Sequence, residues 1–408
     1  MLYLSKLNER EIKWIPHFQI ENEKEIAQGG FSIIYKATYR VGMKDTDVVL
    51  KKLRDSQNIS KYFLNELKSL YQLNNWYSVI NCYGITQDPI TKEYMFVMEY
   101  ANGGDLHGYL QNNFIEVSWK DKLSILRYIS LGLMQIHKIN FVHRDLHSGN
   151  ILLLDHEMKL GDWKISDLGL SQPTNTLSNN EIYGVMPYIA PEIFKGFKFS
   201  KESDVYSLGM IMWELTTGCK PFANIEHNYE LVYEIIDGKR PEITNDTPEC
   251  YANLMKKCWD SIPLNRPTID EFWSFVIKWF DETSYTIYDG FGIAPEFVEV
   301  FEQAEEKRIK LIRSKKLGPG FSKKSHSKAI YTSRKLNSLI YKSLTTDSSP
   351  MVASNITKEY ITKEYDYDIN MNNIQSSQNI NSDVQSSIAP LNSSRKRNIK
   401  ELKIDTQK

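Results

Sequence analysis

The sequence predicts an α+β protein whose strands lie in its N-terminal part and whose helices dominate the region that follows. Between Trp14 and Ala101 the chain contains short runs rich in β-branched and aromatic residues, which favour strands. From Leu123 to Ile136 apolar residues recur at the spacing of one helix face. A capped, largely apolar helix is then predicted over residues 203–214.

The composition is that of an ordinary globular protein. The chain has 408 residues, of which 41% are hydrophobic and 25% charged, and its formal charge of -1 gives no overall attraction to nucleic acid or acidic membranes. Its four cysteines form no C-x-x-C pair, so reduced thiols are expected. Neither a signal peptide nor a membrane-spanning run is apparent. We therefore expect a soluble, cytoplasmic protein.

The first strands surround a turn of small residues. The segment from Ile26 to Ala37 consists of an apolar run, a turn containing Gly29 and Gly30, and a second apolar run. Glycines at the tip of a hairpin let backbone N–H groups approach phosphate oxygens closely. A plain hairpin turn is the alternative interpretation of this segment taken alone.

A lysine near the end of the next strand has a candidate partner. The β-rich run from Asp47 to Leu53 contains Lys51, and a helical segment after it carries Glu66. Lysines usually lie on solvated faces, but an acid on a neighbouring helix can hold one in an ion pair. The sequence therefore predicts a pair between Lys51 and Glu66.

The residues with the clearest chemistry begin in the stretch from Val142 to Asn150. Asp145 can orient an incoming hydroxyl and accept its proton, because a carboxylate can act as a general base. Asn150 offers a metal ion a carbonyl oxygen without adding charge, and Asp167 offers a carboxylate further along the chain. An aspartate in a polar loop is common, so this stretch alone does not decide the function.

Taken together, these motifs resemble the eukaryotic protein kinase domain. The stretch around Asp145 is similar to the catalytic-loop pattern H-R-D-x-x-x-x-N, and Asp167 lies in a version of D-F-G with leucine in place of phenylalanine. The Ala-Pro-Glu motif ending at Glu192 and the Arg-Pro-Thr motif beginning at Arg266 follow in the kinase order. The closest resemblance is to the tyrosine-kinase-like group of serine/threonine kinases.

The resemblance implies a bilobal fold with a small β-rich N-lobe and a larger, mainly helical C-lobe. It implies binding of ATP with Mg²⁺ and transfer of the γ-phosphoryl group to Ser or Thr hydroxyls of proteins in intracellular signalling, with tyrosine left open. The expected partners are protein substrates; nucleic acid is not expected, and the oligomeric state is open. The implied boundaries are an N-terminal extension (1–12), a kinase domain (13–281, with lobes 13–101 and 102–281), a helical extension (282–316) and a basic, Ser/Asn-rich, disordered tail (317–408).

The resemblance also assigns site residues. The catalytic residues it implies are Asp145, Lys51, Glu66 and Arg144, with Asn150 and Asp167 as metal ligands. The nucleotide-binding residues it implies are Ile26, Ala27, Gln28, Gly29, Gly30, Phe31, Ser32, Ile33, Ile34, Lys51, Glu99, Ala101 and Leu152.

The sequence departs from the family at several positions. Ala27 and Ser32 replace two glycines of the phosphate-binding loop, and Leu168 replaces the phenylalanine of D-F-G. His147 and Val185 stand where serine/threonine kinases usually carry lysine and threonine. A nucleotide-binding pseudokinase scaffold is therefore kept as the alternative, although every charged catalytic position is filled.

Two further hypotheses concern regulation and the C-terminal part. Glu181 is hypothesised to replace in part an activation-loop phosphate that Arg144 would otherwise require, the plainer interpretation being a solvated glutamate. An amphipathic helix is predicted over residues 295–315 and is expected to pack on the helical lobe. From Lys307 to Thr346 the chain has twelve Lys or Arg and no acid, which fits a flexible solvated tail. Beside the kinase and the pseudokinase, a third possible function is therefore an anionic-surface binder in which the kinase fold only carries this basic tail.

Overall fold

Two lobes, one built on a sheet and one on helices, make up the part of the protein that the computed structural model describes. Within this part, no helix combines the length and the apolar character needed to cross a bilayer. The described residues are 13–28, 32–42, 44–54, 56, 61–74, 76–155, 161–173, 182–284, 296–318 and 325–337.

The N-terminal lobe is a six-stranded sheet in the order β1-β5-β6-β4-β3-β2. β1 runs parallel to β5, and the other neighbours are antiparallel. Alternate residues of the central strands, such as Val48 and Leu50, are fully buried because successive side chains point to opposite faces. The strands are β1 (Lys13–Trp14), β2 (Ile20–Gln28), β3 (Ser32–Val41), β4 (Lys44–Leu53), β5 (Cys82–Gln87) and β6 (Tyr94–Glu99).

The predicted hairpin is formed by β2 and β3. Ala27 pairs with Ile34 and Gln28 pairs with Ile33, so the two apolar runs lie side by side. Its tip, Gly29 to Phe31, lies outside the described residues.

Helix α1 (Lys61–Leu73) packs on this sheet through aromatic contacts. The ring of Phe63 stacks on Phe96 of β6 at 5.2 Å and lies 5.3 Å from the ring of Tyr94. Glu66 follows Phe63 by three residues and therefore projects from the same face of the helix. This packing directs Glu66 toward β4.

The C-terminal lobe is organised around two buried helices, α3 and α5. The apolar stripe predicted from Leu123 to Ile136 is confirmed, since its five members are each no more than 1% exposed: Leu123, Leu126, Ile129, Leu133 and Ile136. Ser118 and Asp121 form a reciprocal capping box at the start of α3. The helices are α2 (Leu106–Asn113), α3 (Trp119–Lys138), α4 (Pro191–Phe194), α5 (Lys201–Thr217), α6 (Tyr229–Ile236), α7 (Glu249–Cys258), α8 (Ile269–Ser284) and α9 (Val298–Arg313).

Three two-stranded pairs connect loops of the C-terminal lobe. β7 pairs with β10, β8 with β9, and β11 with β12, all antiparallel. Each pair holds two loops in register without a larger sheet. The strands are β7 (Phe141–Val142), β8 (Ile151–Leu153), β9 (Trp163–Ile165), β10 (Gln172–Pro173), β11 (Tyr183–Gly184) and β12 (Arg334–Lys335).

A buried ion pair joins the start of α4 to the segment before α8. The Arg266 guanidinium donates to both carboxylate oxygens of Glu192 at 2.7 Å. It also donates to the carbonyl oxygens of Glu202 and Asp260. The pair is bidentate and two further N–H groups of the guanidinium bind backbone carbonyls, so neither buried charge is left without a partner.

The amphipathic helix predicted near residue 300 corresponds to α9, which packs on the start of α3. Phe301 is buried, and its ring lies 5.9 Å from those of Trp119 and Trp279. Glu305 accepts a hydrogen bond from the backbone N–H of Trp119 at 2.9 Å. Its carboxylate thus lies at the positive end of α3.

Residues 325–337 differ from the disordered tail that the sequence predicts for 317–408. They lie against the C-terminal lobe, where β12 pairs with β11 and Leu336 is fully buried. Backbone pairing with β11 and burial of Leu336 hold this segment in place, and neither can be read from its composition. The prediction for residues 338–408 and for the N-terminal extension lies outside the described residues.

Candidate active site

Three charged side chains from three elements meet between the lobes. The Lys51 ammonium lies 2.5 Å from Oε1 of Glu66 and 2.8 Å from Oδ1 of Asp167. Lys51 and Glu66 are buried, whereas the side chain of Asp167 is 46% exposed. The ion pair predicted between Lys51 and Glu66 is therefore present, and Asp167 joins it from the segment after β9.

The charges of this cluster determine one another's ionisation. Burial opposes the charge of Lys51, but the carboxylates of Asp167 and Glu66 outweigh it and raise the pKa of the ammonium. Partial burial also opposes the charge of Asp167, yet Lys51 lowers the pKa of this carboxyl to about 2. Burial raises the pKa of Glu66 against the attraction of Lys51. At neutral pH the cluster presents an ammonium and an ionised Asp167 to the space between the lobes.

Gly169 permits this close approach. A Cβ atom at that position would lie 3.1 Å from Oε2 of Glu66 and 3.2 Å from Oδ1 of Asp167. The neighbouring Leu168 is buried, as expected for the apolar residue of this motif. A Cβ atom at position 169 would therefore require these carboxylate oxygens to move by a few tenths of an ångström.

Asp145 lies in the loop after β7, and its carboxylate contacts a hydroxyl group. Oδ2 accepts a short hydrogen bond from Oγ of Ser333, in the segment that carries β12. Burial raises the pKa of Asp145 to about 6, although this hydrogen bond acts in the opposite direction. The carboxyl is thus mainly ionised at neutral pH and close to the range that suits a general base.

Asn150 and Asp167 form a donor set that fits a hard cation. The amide of Asn150 donates to the carbonyl of Asp145 at 2.9 Å, which orients the side chain. The backbone carbonyl of Asn150 accepts from the backbone N–H of Ser166 at 2.8 Å, so Asn150 and Asp167 lie on adjoining segments. No group of three or more His, Cys, Asp or Glu is gathered for a metal in the described part of the chain. A carboxylate and an amide oxygen match Mg²⁺, which keeps waters and phosphate oxygens as its other ligands.

His147 lies beside the Asp145 carboxylate, with Nε2 3.8 Å from Oδ2. Its Nδ1 accepts a hydrogen bond from the N–H of Gly149 at 3.1 Å, so the proton of the neutral ring is on Nε2. Burial lowers the pKa of His147 to about 4, which keeps the ring neutral at physiological pH. His147 therefore offers a neutral donor where the family usually carries a charged lysine.

The loop that carries Asp145 is held by a residue that sequence reasoning missed. Oδ2 and Oδ1 of Asp204 accept from the backbone N–H groups of His143 and Arg144 at 2.8 and 3.0 Å. His137 of α3 contacts the same carboxylate at 2.8 Å. Arg144 has a φ of 73°, a conformation that non-glycine residues rarely adopt, so Asp204 fixes a strained backbone next to Asp145. An acid in the first turn of a predicted buried helix was the available signal.

Arg144, expected to be catalytic, contacts an aromatic ring and a backbone carbonyl. Its guanidinium lies 4.7 Å from the ring centroid of Phe199 and donates to the carbonyl of Leu170. The hypothesis that Glu181 neutralises it falls outside the described residues.

The structure describes most of the predicted nucleotide-binding residues, which lie on or next to β2, β3, β4, β6 and β8. Ile33 and Ile34 lie on β3, and Ile34 is opposite Lys51 in the sheet register. Glu99 ends β6; its carboxylate accepts from the Lys164 ammonium at 2.8 Å, and its backbone N–H donates to the carbonyl of Asn81 at 3.0 Å. Leu152 is half-buried between the buried residues of β8. The remaining predicted residues are Ile26, Ala27 and Gln28 at the end of β2, Ser32 at the start of β3, and Ala101 just after β6; Gly29, Gly30 and Phe31 lie outside the described residues.

Asp105 caps the N-terminus of α2. Its carboxylate accepts from the N–H of Gly108 at 2.9 Å. This satisfies a backbone group that the helix itself leaves unpaired.

Comparisons with known proteins agree with this geometry. The family model described as protein tyrosine and serine/threonine kinase matches residues 20–276. Stress-activated protein kinase alpha of Dictyostelium discoideum is 31% identical over 283 residues, which cover 65% of this chain and 43% of that protein. Human mitogen-activated protein kinase kinase kinase 7 is 31% identical over 264 residues, which cover 63% of this chain and 41% of that protein.

The chain thus spans less than half the length of these curated relatives. The matched region contains both lobes and every charged residue of the cluster between them. The chain belongs to the protein tyrosine and serine/threonine kinase family, with the tyrosine-kinase-like resemblance that its motifs predict.

Proposed function

We propose that the protein transfers the γ-phosphoryl group of ATP to serine or threonine hydroxyls of protein substrates. One observation carries this proposal: the Asp145 carboxylate contacts a hydroxyl group beside the Lys51–Glu66–Asp167 cluster. A phosphoryl donor and an acceptor hydroxyl can therefore be held next to each other. Phosphoryl transfer depends mainly on such positioning and on charge neutralisation.

Each charged residue has a separate role in this proposal. Lys51, held by Glu66, binds phosphate oxygens and fixes the donor. Asp145 orients the acceptor hydroxyl and takes its proton as the oxygen attacks phosphorus. Asp167 and Asn150 hold Mg²⁺, which when bound neutralises charge on the phosphates. His147 donates from Nε2 to a phosphoryl oxygen, without the positive charge that a lysine would bring.

The proposal is supported by the ionisation of the site. The raised pKa of Lys51 keeps its charge, and Asp167, whose pKa is lowered to about 2, stays ionised at all physiological pH values. Asp145, whose pKa is raised to about 6, is ionised at neutral pH but basic enough to accept a proton.

We also infer a cytoplasmic protein, since Cys82, Cys219, Cys250 and Cys258 are all free thiols.

The test compares the natural protein with Asp145→Asn in the presence of Mg²⁺ and labelled ATP. Myelin basic protein serves as a general acceptor, and the phosphoamino acids formed are separated. We expect label on phosphoserine or phosphothreonine with the natural protein and none with the variant. Thermal stabilisation by nucleotide without any transfer would instead support a pseudokinase scaffold. Label on tyrosine alone would contradict the proposed acceptor.

A further inference from the structure

The segment from His326 to Asn337 lies on the C-terminal lobe, and we call the surface that it covers, from Ala223 past His227 to Asp145, the groove. β12 pairs antiparallel with β11, with Arg334 opposite Gly184 and Lys335 opposite Tyr183. The N–H of Leu336 donates to the carbonyl of Ile182 at 2.9 Å, which continues the ladder. A bound peptide often adds a strand to an exposed edge in this way, because main-chain hydrogen bonds suit any sequence.

Two side chains anchor the segment on either side of Ser333. Leu336, three residues after Ser333, is fully buried. Tyr331, two residues before it, donates from its hydroxyl to the carbonyl of Pro221 at 2.8 Å. The Tyr331 ring meets His227 edge-on at 4.8 Å and lies under the Lys220 ammonium at 4.9 Å. An apolar anchor and an aromatic anchor therefore fix the register of the segment.

His227 fixes the same register through its backbone and ring. Its Nε2 lies 3.2 Å from the carbonyl oxygen of Phe222, and its Nδ1 lies 2.9 Å from the carbonyl oxygen and 3.1 Å from the backbone nitrogen of Ile330. The carbonyl of His227 accepts from the Arg334 guanidinium at 3.2 Å. These contacts hold residues on both sides of Ser333 and leave it little freedom to slide along the groove.

The fixed register brings the Ser333 hydroxyl to Oδ2 of Asp145, the base of the proposed reaction. Gly184 makes room for this approach, since a Cβ atom there would lie 3.3 Å from Oδ1 of Asp145. The residue of the segment whose side chain reaches Asp145 is thus a serine, which carries a nucleophilic hydroxyl. The preceding residue, Thr332, is exposed to solvent.

We propose that the segment 326–337 binds its own kinase domain as a substrate and that Ser333 is phosphorylated within the same molecule. This rests on the proposed function, with ATP as the phosphoryl donor. Oγ of Ser333 forms a bond to the γ-phosphorus, and the bond from that phosphorus to the oxygen bridging to the β-phosphorus breaks. The electron pair leaves with ADP, and the hydroxyl proton passes to Asp145.

The product has a predictable effect on the segment. A phosphate on Ser333 brings roughly two negative charges next to Asp145 and Asp167, and like charges repel. The segment therefore leaves the groove after one turnover and opens it to other protein substrates. Before that event the segment competes with them. The arrangement also indicates the substrate class: a serine with an aromatic residue two positions before it and leucine three positions after it.

The experiment uses dephosphorylated full-length protein with Mg²⁺-ATP and mass spectrometry of the tail peptide. We expect phosphate on Ser333 with a first-order rate that does not change over a tenfold range of protein concentration. Thr332→Ala is the matched control and should keep this rate. Asp145→Asn mixed with the natural protein should gain no phosphate on its own Ser333. Phosphate on the inactive variant would overturn transfer within one molecule.

Two tail variants test occupation of the groove. Leu336→Asp removes the buried anchor and should lower Ser333 phosphorylation at least tenfold, while the initial rate on myelin basic protein rises severalfold. Ser333→Ala keeps the segment bound and removes the acceptor, so its rate on myelin basic protein should stay low, without the acceleration expected of the natural protein.

The two proposals can fail separately. Transfer to myelin basic protein without phosphate on Ser333 would refute the inference and leave the proposed function intact. No transfer to any acceptor, including from Leu336→Asp, would refute both.

Discussion

Replacing Glu66 by glutamine tests the central ion pair with little change in shape. Glu66→Gln leaves Lys51 bound to Asp167 alone, 2.8 Å away, and this draws the ammonium toward the proposed metal ligand. A hydrogen bond to a charged group contributes about 1.5–3 kcal/mol. If this contribution is realised in the transition state, kcat/KM for ATP should fall by about 10- to 150-fold.

The assay measures initial rates on myelin basic protein at varied ATP concentrations. Glu93→Gln is the matched control, because Glu93 holds the adjacent Lys52 at 3.0 Å without joining the cluster. It should leave kcat/KM unchanged. A value for Glu66→Gln within twofold of the natural protein would refute the reasoning. So would an equal loss in both variants, because that would reflect damage to the sheet.

The remaining predictions concern pH and stability. Since protonated Asp145 cannot accept a proton and its pKa is about 6, kcat/KM should rise between about pH 5 and about pH 7; a flat profile would contradict its role as the base. Arg266→Met leaves the Glu192 carboxylate buried without its partner and should lower the free energy of unfolding by about 3–5 kcal/mol in urea titrations. A loss below about 1 kcal/mol would show that the pair is dispensable. Burial lowers the pKa of Lys122 from 10.5 to about 8, so the unfolded state binds a proton that the native state lacks between those values. The contribution of Lys122 to stability should therefore rise with pH there by up to about 3 kcal/mol; in urea unfolding, the free energy of unfolding of the natural protein relative to that of Lys122→Met should rise by this amount between pH 8 and pH 10.5.

Much of the site could be predicted because its chemistry lies in short motifs. Asp145 and Asn150 are five residues apart, and their relation is fixed by one loop. The Lys51–Glu66 pair spans only a strand and the helix that follows it. Helix α3 could be predicted from its apolar stripe because the 3.6-residue period is a property of the local chain.

Other parts of the site depend on residues that are distant in sequence and have no local pattern. Asp204 supports the loop of Asp145 although it lies 60 residues after Arg144, whose backbone N–H it binds. His147 could be recognised as a departure from the family, but its neutral tautomer follows only from burial and from its bond to Gly149. Such relations exist only once the helices and loops of the C-terminal lobe are packed together.

The sequence by itself determined the fold class, the charged residues and the family of this protein, because these follow from periodicity and motif spacing. Only the tertiary structure decided where the segment 325–337 lies. Its basic, polar composition predicted a disordered chain, since composition reports the absence of a core of its own. The fold supplies that segment with a strand edge and a pocket for Leu336, and so joins Ser333 to Asp145 across 188 residues of sequence.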